Sequence, residues 1–169
     1  MESNEQHKNH LDQGKQYLTF VLAGEEYAID ILKVQEIRGF ESTTQIPNTP
    51  EYLLGVINLR GSVVPIVDMR VRFSLSVEDS ANPVIILVKH AASGSERIVG
   101  IVVDAVSDVY SISSEDVSKT PDLATNVVKQ FVTGLATIEE KMIIMLDIDS
   151  LIGQGVLEDG QVISEAEEA

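Results

Sequence analysis

The chain has 169 residues, a formal net charge of −15 and no cysteine. The charge argues against binding to nucleic acid or anionic lipid, and the lack of cysteine excludes disulfides and thiolate metal sites and suits a cytosolic address. Hydrophobic residues make up 44% of the chain, which is enough for a folded core, but no apolar run approaches the roughly 20 residues that a membrane-spanning helix needs.

The first third of the chain predicts a short tail and then paired strands. Residues 1–16 are polar and are expected to be disordered. From Tyr17 onward apolar and polar residues alternate on both sides of a Gly-Glu-Glu turn, which predicts a β-hairpin. Residues 31–37 are expected to form a turn or short helix, and residues 40–50, rich in Thr, Pro and Asn, a loop.

The remaining apolar segments predict further strands in the same style. The pattern predicts strands over 52–57, 63–67, 84–88, 98–103, 131–138 and 142–146. A longer connection spans 111–129, a helix is expected over 147–152, and residues 153–169 form an acidic tail.

An internal repeat organises these strands. Gly55 and Asp68 are separated by 13 residues, and so are Gly134 and Asp147, within similar apolar segments. Upstream, residues 29–37 match residues 101–109 at an offset of 72, whereas the first pair of segments has an offset of 79. The repeat predicts two similar β-barrels of about five strands each, one over about 17–80 and one over about 81–152, sharing an aliphatic interface.

The residues give little support to an enzyme. No cysteine is present, no phosphate-binding glycine loop is found, and no histidine lies in a plausible triad: two are in the N-terminal tail and His90 lies at a strand end. Four acids at strand ends or bends are interpreted as turn and helix caps: Asp68, Asp104, Asp108 and Asp147. No catalytic residue, metal site or cofactor is therefore predicted.

The turn formed by residues 58–61 is more informative. Gly61 is expected to supply a positive φ in a tight hairpin, and Arg60 to project from it. In the second copy the matching positions hold Glu139 and Glu140. Because the fold accepts glutamate there, Arg60 is interpreted as a feature of one site rather than of the barrel.

Three stretches resemble signatures of the CheW family of chemotaxis coupling proteins. They are Tyr27–Gly39, Gly55–Asp68 with its Asn-Leu-Arg-Gly turn, and Gly100–Val109. The resemblance extends in continuous order over residues 17–152. It implies an all-β fold of two five-stranded SH3-like barrels sharing a hydrophobic core, with short helices, the last of which packs back on the first barrel.

The resemblance also implies a function without catalysis. Proteins of this family couple the cytoplasmic tips of methyl-accepting receptors to the regulatory domain of the CheA histidine kinase, in signalling arrays at the inner face of the membrane, and this chain is expected to do the same in the cytoplasm. The implied receptor-binding residues are Val34, Glu36, Ile37, Asn58, Arg60, Val103 and Val106. The implied kinase-binding residues are Thr43, Gln45, Pro47, Asn48 and Pro50.

Other interpretations stay open. A paralogous adaptor of a non-flagellar chemosensory pathway would show the same motifs. A CheV-type adaptor would carry a receiver domain, for which the chain is expected to be too short, and the kinase's own regulatory domain would come with phosphotransfer segments. A small ligand-binding barrel is disfavoured by the few aromatics and the negative charge, and a small hydrolase by the missing nucleophile–base pair.

Overall fold

The computed structural model describes residues 15–75, 82–92, 95–119 and 131–155. Both predicted tails, apart from residues 15–16 and 153–155, and much of the 111–129 connection lie outside these ranges. The strands are β1 Gln16–Leu22, β2 Glu25–Asp30, β3 Val34–Gly39, β4 Leu53–Leu59, β5 Ser62–Asp68, β6 Val84–Ala92, β7 Ser95–Val103, β8 Ala105–Ser111, β9 Val117–Ser118, β10 Val132–Ile138 and β11 Lys141–Leu146; the α-helices are α1 Met69–Arg72 and α2 Ile148–Gly155.

The strands form two sheets, which confirms the all-β prediction. Sheet A has the order β8-β1-β2-β11-β10-β9, and sheet B has the order β3-β6-β7-β5-β4. Sheet B has the five strands expected. Sheet A has six in the described part of the chain, because the two-residue β9 pairs with β10.

The sheets do not follow the expected boundary near residue 80. The hairpin β1–β2 belongs to sheet A, whose other strands lie after residue 104, while β6 and β7 belong to sheet B with β3, β4 and β5. Each repeat thus places its first hairpin in the sheet of the other repeat. The expected division at about 17–80 and 81–152 describes the repeat in the sequence and is wrong for the sheets.

The pairing register supports the internal repeat residue by residue. In sheet B, β5 runs parallel to β7 with Ile66 opposite Gly100. In sheet A, β11 runs parallel to β2 with Met145 opposite Ala28. These four residues are related by the two offsets found in the sequence, 79 and 72, so both copies use the same register.

Two glycines of the repeat allow a loop segment to approach its sheet closely. Thr44 forms an isolated bridge with Val56, and Ser118 pairs with Leu135 at the equivalent place. A Cβ added at Gly55 would overlap the backbone of Thr44, and one at Gly134 would lie 2.8 Å from the carbonyl oxygen of Ser118. Gly55 also has a φ of +143°, which side chains rarely adopt.

Buried residues form three clusters. One lies between the sheets and draws on both, one lies within sheet B, and one within sheet A, which matches two barrels that share a core. Because burial of apolar surface stabilises a fold, this shared cluster holds the two sheets together. Its largest fully buried members are Phe20, Leu22, Ile29, Met69, Ile86, Ile101, Phe131 and Leu151.

The C-terminal helix α2 attaches to the opposite sheet. Its residues Leu151 and Ile152 are buried in the shared core. At its first turn, Asp149 lies 2.7 Å from Lys33 and 3.2 Å from the ring of His90 on β6. The helix continues to Gly155, three residues beyond the predicted end. No helix among the described residues is long and apolar enough to cross a membrane.

Candidate partner-binding groove

An ion pair links the two edge strands of sheet B. Arg60, which follows β4, lies 3.0 Å from Glu36 on β3. Glu36 also lies 3.6 Å from Arg38, which pairs in turn with Glu41 at 2.9 Å. Since β3 and β4 are the outermost strands of the sheet, the Arg60–Glu36 contact shows that its edges lie close together, as in a closed barrel.

The turn that carries Arg60 is tight and left-handed at both central residues. Arg60 has a φ of 51° and Gly61 a φ of 90°, as a two-residue hairpin turn requires. The side chain of Asn58 accepts a hydrogen bond from the amide of Gly61 at 2.8 Å. Glu139 and Glu140 have φ values of 51° and 66° in the equivalent turn, so the backbone does not depend on arginine or glycine.

Apolar side chains on β3 point to the shared core. In antiparallel strands, directly opposed residues lie on the same face. Val34 is opposed by Val88 and Ile37 by Ile86, and both partners belong to the shared core. Val34 is half-buried against that core, and 45% of Ile37 is exposed. A register shift between Val34 and Glu36 puts Glu36 opposite Leu87, in the cluster of sheet B.

The edge strand β8 repeats this arrangement in sheet A. Val106 is half-buried against the shared core and is opposed by Phe20. Val109 is opposed by Leu18, another member of that core, and is 43% exposed. Both edge strands therefore present a half-buried valine and an exposed aliphatic residue at the margin of the shared core.

The pairing also places the two edge strands side by side. Gly39, at the end of β3, is opposed by Val84, which is opposed by Val103 just before β8 begins. At the other end, Tyr110 of β8 is opposed by Tyr17, which is opposed by Asp30 just before the crossover to β3. Two strand spacings are about 10 Å. Thus β3 and β8 run in opposite directions along one side of the shared core, and we call the surface between them the groove.

The residues at this groove differ from the expected set in two places. Val103 does not reach its surface, and Val109, which was not expected, does. Val103 is 0% exposed in the shared core, so it cannot touch a partner in this conformation and can only support the floor. The interior strand β7 is buried on both faces near its end, so alternation could not reveal this. Sequence reasoning missed Val109, although the repeat aligns it with Ile37.

The expected kinase-facing loop packs against β4, where Thr44 pairs with Val56. Gln45, Pro47 and Asn48 are exposed, whereas Thr43 and Pro50 are half-buried. The hydroxyl of Thr43 donates a hydrogen bond of 3.1 Å to the carbonyl of Leu54. Asn48 has a positive φ of 63°. The loop lines a shallow depression of about 440 Å³ together with residues of β4.

All four strand-end acids accept hydrogen bonds, and two of them, Asp68 and Asp147, cap helices as predicted. The carboxylates of Asp68 and Asp147 accept hydrogen bonds from backbone amides in the first turns of α1 and α2. Asp104 accepts a bond from the amide of Ala23, and Asp108 from the amide of Val109. The described residues contain no group of three or more His, Asp or Glu side chains that could hold a metal ion.

A buried ion network fixes the connection before β8. Arg70 bonds to Asp68 and also, at 3.1 Å, to Asp104. The hydrogen bond to Asp68 raises the pKa of Arg70 against the opposing effect of burial. On α2, burial acts to raise the pKa of Asp149, but the hydrogen bond and charge of Lys33, with His90, outweigh it and hold that pKa below its usual value.

A family model and the sequences of known proteins similar to this chain agree on one family. Residues 16–155 match the family model described as CheW-like domain. The chain is 46% identical over 140 residues to the chemotaxis protein CheW of Klebsiella aerogenes, covering 82% of each chain, and 39% identical over 138 residues to that of Rhizobium meliloti, covering 82% of this chain and 87% of the relative.

A solved structure agrees with the sequence relatives. The scaffolding protein TtCheW from Thermoanaerobacter tengcongensis superposes with a TM-score of 0.71 at 35% identity, over 82% of this chain and 92% of that one. The two sheets, the shared core and the sequence match over residues 16–155 together show that this chain belongs to the CheW family of chemotaxis proteins.

Proposed function

We propose that this chain is a non-catalytic scaffold that couples methyl-accepting chemoreceptors to the CheA histidine kinase and helps to assemble their signalling arrays. The observation that carries the proposal is the groove between β3 and β8, with its aliphatic margin and the Arg60–Glu36 pair on one flank. A helical hairpin such as a receptor tip can place an apolar stripe in such a groove.

The receptor-facing residues proposed are those exposed or half-buried around this groove. Val34, Ile37 and Val106 offer apolar contact, while Glu36 and Arg60 offer charged contact that fixes register. Asn58 acts by holding the turn of Arg60 through its bond to Gly61.

The kinase-facing surface proposed is the loop formed by residues 43–50. Its exposed Gln45 and Pro47 line the depression against β4, Asn48 is exposed between them and Pro50, and two prolines stiffen the segment. Because this loop and the groove use different parts of sheet B, both partners can bind at once. The working location of such a complex is the cytoplasmic face of the membrane, through the receptors.

The proposal is tested by co-sedimentation with receptor-containing membranes, with and without CheA. The chain should sediment with receptors and should increase both the kinase recovered and its receptor-dependent activity. The variant Gln45→Arg should lower kinase recovery while the chain itself still sediments. Failure of the wild-type chain to sediment with receptors would refute the receptor role, and normal kinase recovery with Gln45→Arg would refute the loop assignment.

A further inference from the structure

The groove between β3 and β8 is nearly symmetric in its apolar residues and asymmetric in its charges. The repeat relates Val34 to Val106 and Ile37 to Val109. Both valines are half-buried against the shared core, and the other two side chains are 45% and 43% exposed. A rotation of half a turn about an axis through the middle of the groove therefore exchanges one margin with the other.

Symmetry of this kind creates an ambiguity for an elongated partner. A helix lying in the groove reverses its direction when it is rotated by half a turn about that axis. Its apolar stripe would meet nearly the same aliphatic residues in both orientations. Apolar contacts alone cannot then select the direction of the helix.

The charges on the outer flanks do distinguish the two orientations. Beside β3, Arg60 is 74% exposed in its side chain and pairs with Glu36. The positions that the repeat matches to Arg60 and Glu36 hold Glu139 and Asp108, and the next turn position holds Glu140 where the first copy has Gly61. The turns share their backbone conformation, with a φ of 51° at both Arg60 and Glu139. The two turns thus differ in charge while they share this backbone conformation.

We infer that this charge asymmetry sets the direction in which a helical partner lies in the groove. The partner is an amphipathic helix, or one helix of a hairpin, whose apolar stripe is flanked by acids on the side of Arg60 and by bases on the side of Glu139. The reversed orientation places acids against acids, and such juxtapositions strongly disfavour a complex. This inference rests on the proposed function, because it specifies how the receptor-binding groove is used.

The experiment reads helix direction by disulfide cross-linking. The chain has no cysteine, so single cysteines can be introduced at Ala105 or Ser111, two exposed positions at opposite ends of β8. The probe is a synthetic amphipathic helix with glutamates along one flank, lysines along the other and one cysteine at its N-terminus. A second peptide with the flanks interchanged is the matched control.

The first peptide should cross-link to one position at least about tenfold faster than to the other, and the control peptide should show the opposite preference. The double variant Arg60→Glu/Glu139→Arg should reverse both preferences. Each site already accommodates the other residue at the same φ, so the exchange should preserve the fold. A neutral variant, Arg60→Gln/Glu139→Gln, should abolish the difference between the two peptides at each position.

Three results would overturn the inference. They are equal cross-linking in the wild-type chain, an unchanged direction in the charge-exchanged variant, and no binding of either peptide. Co-sedimentation of the same proteins with receptor membranes keeps the two claims separate. Receptor binding without a directional preference refutes only the inference, whereas a wild-type chain that ignores receptors refutes the proposed function.

Discussion

At Arg60 the fold requires a backbone conformation and not a charge. Its left-handed φ is matched at Glu139, and its side chain is mostly exposed. The positive charge contributes to the fold mainly through Glu36, and an exposed pair of this kind contributes only about 0.2–1 kcal/mol. A charge at an exposed turn with so small a structural effect is well placed to act on a partner.

Reversing the charge of Arg60 should weaken receptor binding much more than it lowers the stability of the fold. In Arg60→Glu we expect the free energy of unfolding to fall by at most about 1 kcal/mol, because one exposed pair is lost beside Glu36. Receptor binding should fall much further, since truncating one member of a buried interfacial pair costs about 2–5 kcal/mol. Thermal unfolding and co-sedimentation on the same protein give both quantities.

The matched control for this prediction is Arg97→Glu. Arg97 is an exposed arginine on β7, opposite His90, and its reversal makes the same change in net charge. It should leave receptor binding unchanged. Equal losses in both variants would mean that overall charge and not the groove is responsible.

The sequence was informative for some of these residues and silent for others. The Asn-Leu-Arg-Gly turn was predictable because turn chemistry is local, and the repeat supplied the comparison with Glu139. The contact of Arg60 with Glu36 was not, because it joins residues 24 positions apart across the edges of a sheet. Burial of Val103 escaped detection because a strand covered on both faces shows no alternation.

Among the elements, helix α2 depends on one cluster at its first turn. Asp149 bonds to Lys33 and to His90, whose ring is 95% buried, and these contacts hold the helix to the opposite sheet. The lowered pKa of Asp149 means that its ionised form is favoured in the folded protein. Its stabilising effect is therefore present at neutral pH and is lost as the pH falls through the folded-state pKa.

The substitution Asp149→Asn should remove this acid-dependent component. At pH 7 the variant should be less stable by about 1 kcal/mol, an estimate kept small because Lys33 and Asp149 are partly exposed. The difference should begin to shrink as the pH drops below about 4, the ordinary range of an aspartate, and should vanish below the lowered pKa of Asp149. It should also shrink in strong alkali, because the bond to Asp149 raises the pKa of Lys33. Urea unfolding over a pH series checks this; a constant difference across the acid range would contradict it.

The close approach of the 43–50 loop to β4 depends on Gly55. Replacing Gly55 with Ala would force its Cβ against the backbone of Thr44 at an unfavourable φ, at a cost of about 1–3 kcal/mol. We expect this variant to displace the loop and reduce recovery of the kinase in co-sedimentation.

Two other glycines serve as controls. A Cβ at Gly39, in the same sheet, meets no atom within 4 Å, so Gly39→Ala should change little. Gly134→Ala makes the equivalent clash in sheet A, 2.8 Å from the Ser118 carbonyl oxygen, and should destabilise the protein while sparing the 43–50 loop. Kinase recovery that fell equally in Gly55→Ala and Gly134→Ala would argue against a specific role of that loop.

At the scale of the whole molecule, the main feature is that the first hairpin of each repeat joins the sheet formed mostly by the other repeat. Alternation along a strand shows that it has one buried face but not which sheet it joins. The repeat could therefore be found from spacing, and even its register was implicit in the two offsets. The exchange of hairpins was not predictable, because pairing partners such as Leu18 and Val109 are remote in the chain.

Separating the repeats should therefore unfold both. A fragment of residues 1–80 lacks β6 and β7 of sheet B, and a fragment of residues 81–169 lacks β1 and β2 of sheet A. We expect neither to show a cooperative thermal transition alone, and an equimolar mixture to regain strand content and elute as one complex. Circular dichroism and size-exclusion chromatography test this. Cooperative melting of either fragment alone would show that a barrel can close without the borrowed hairpin.

The exchange of hairpins also affects the order in which the two sheets can form while the chain is being synthesised. Sheet B is built from the continuous stretch from β3 to β7, whereas sheet A joins a hairpin at the start of the chain to strands near its end. At about 5–20 residues per second, β1 and β2 leave the ribosome many seconds before β11 does. Sheet B can assemble first, while the apolar face of the hairpin β1–β2 stays uncovered until the strands of sheet A have been made. Translation speed through the second repeat, and any chaperone that shields the first hairpin, would thus govern how much of the newly made chain reaches the native state.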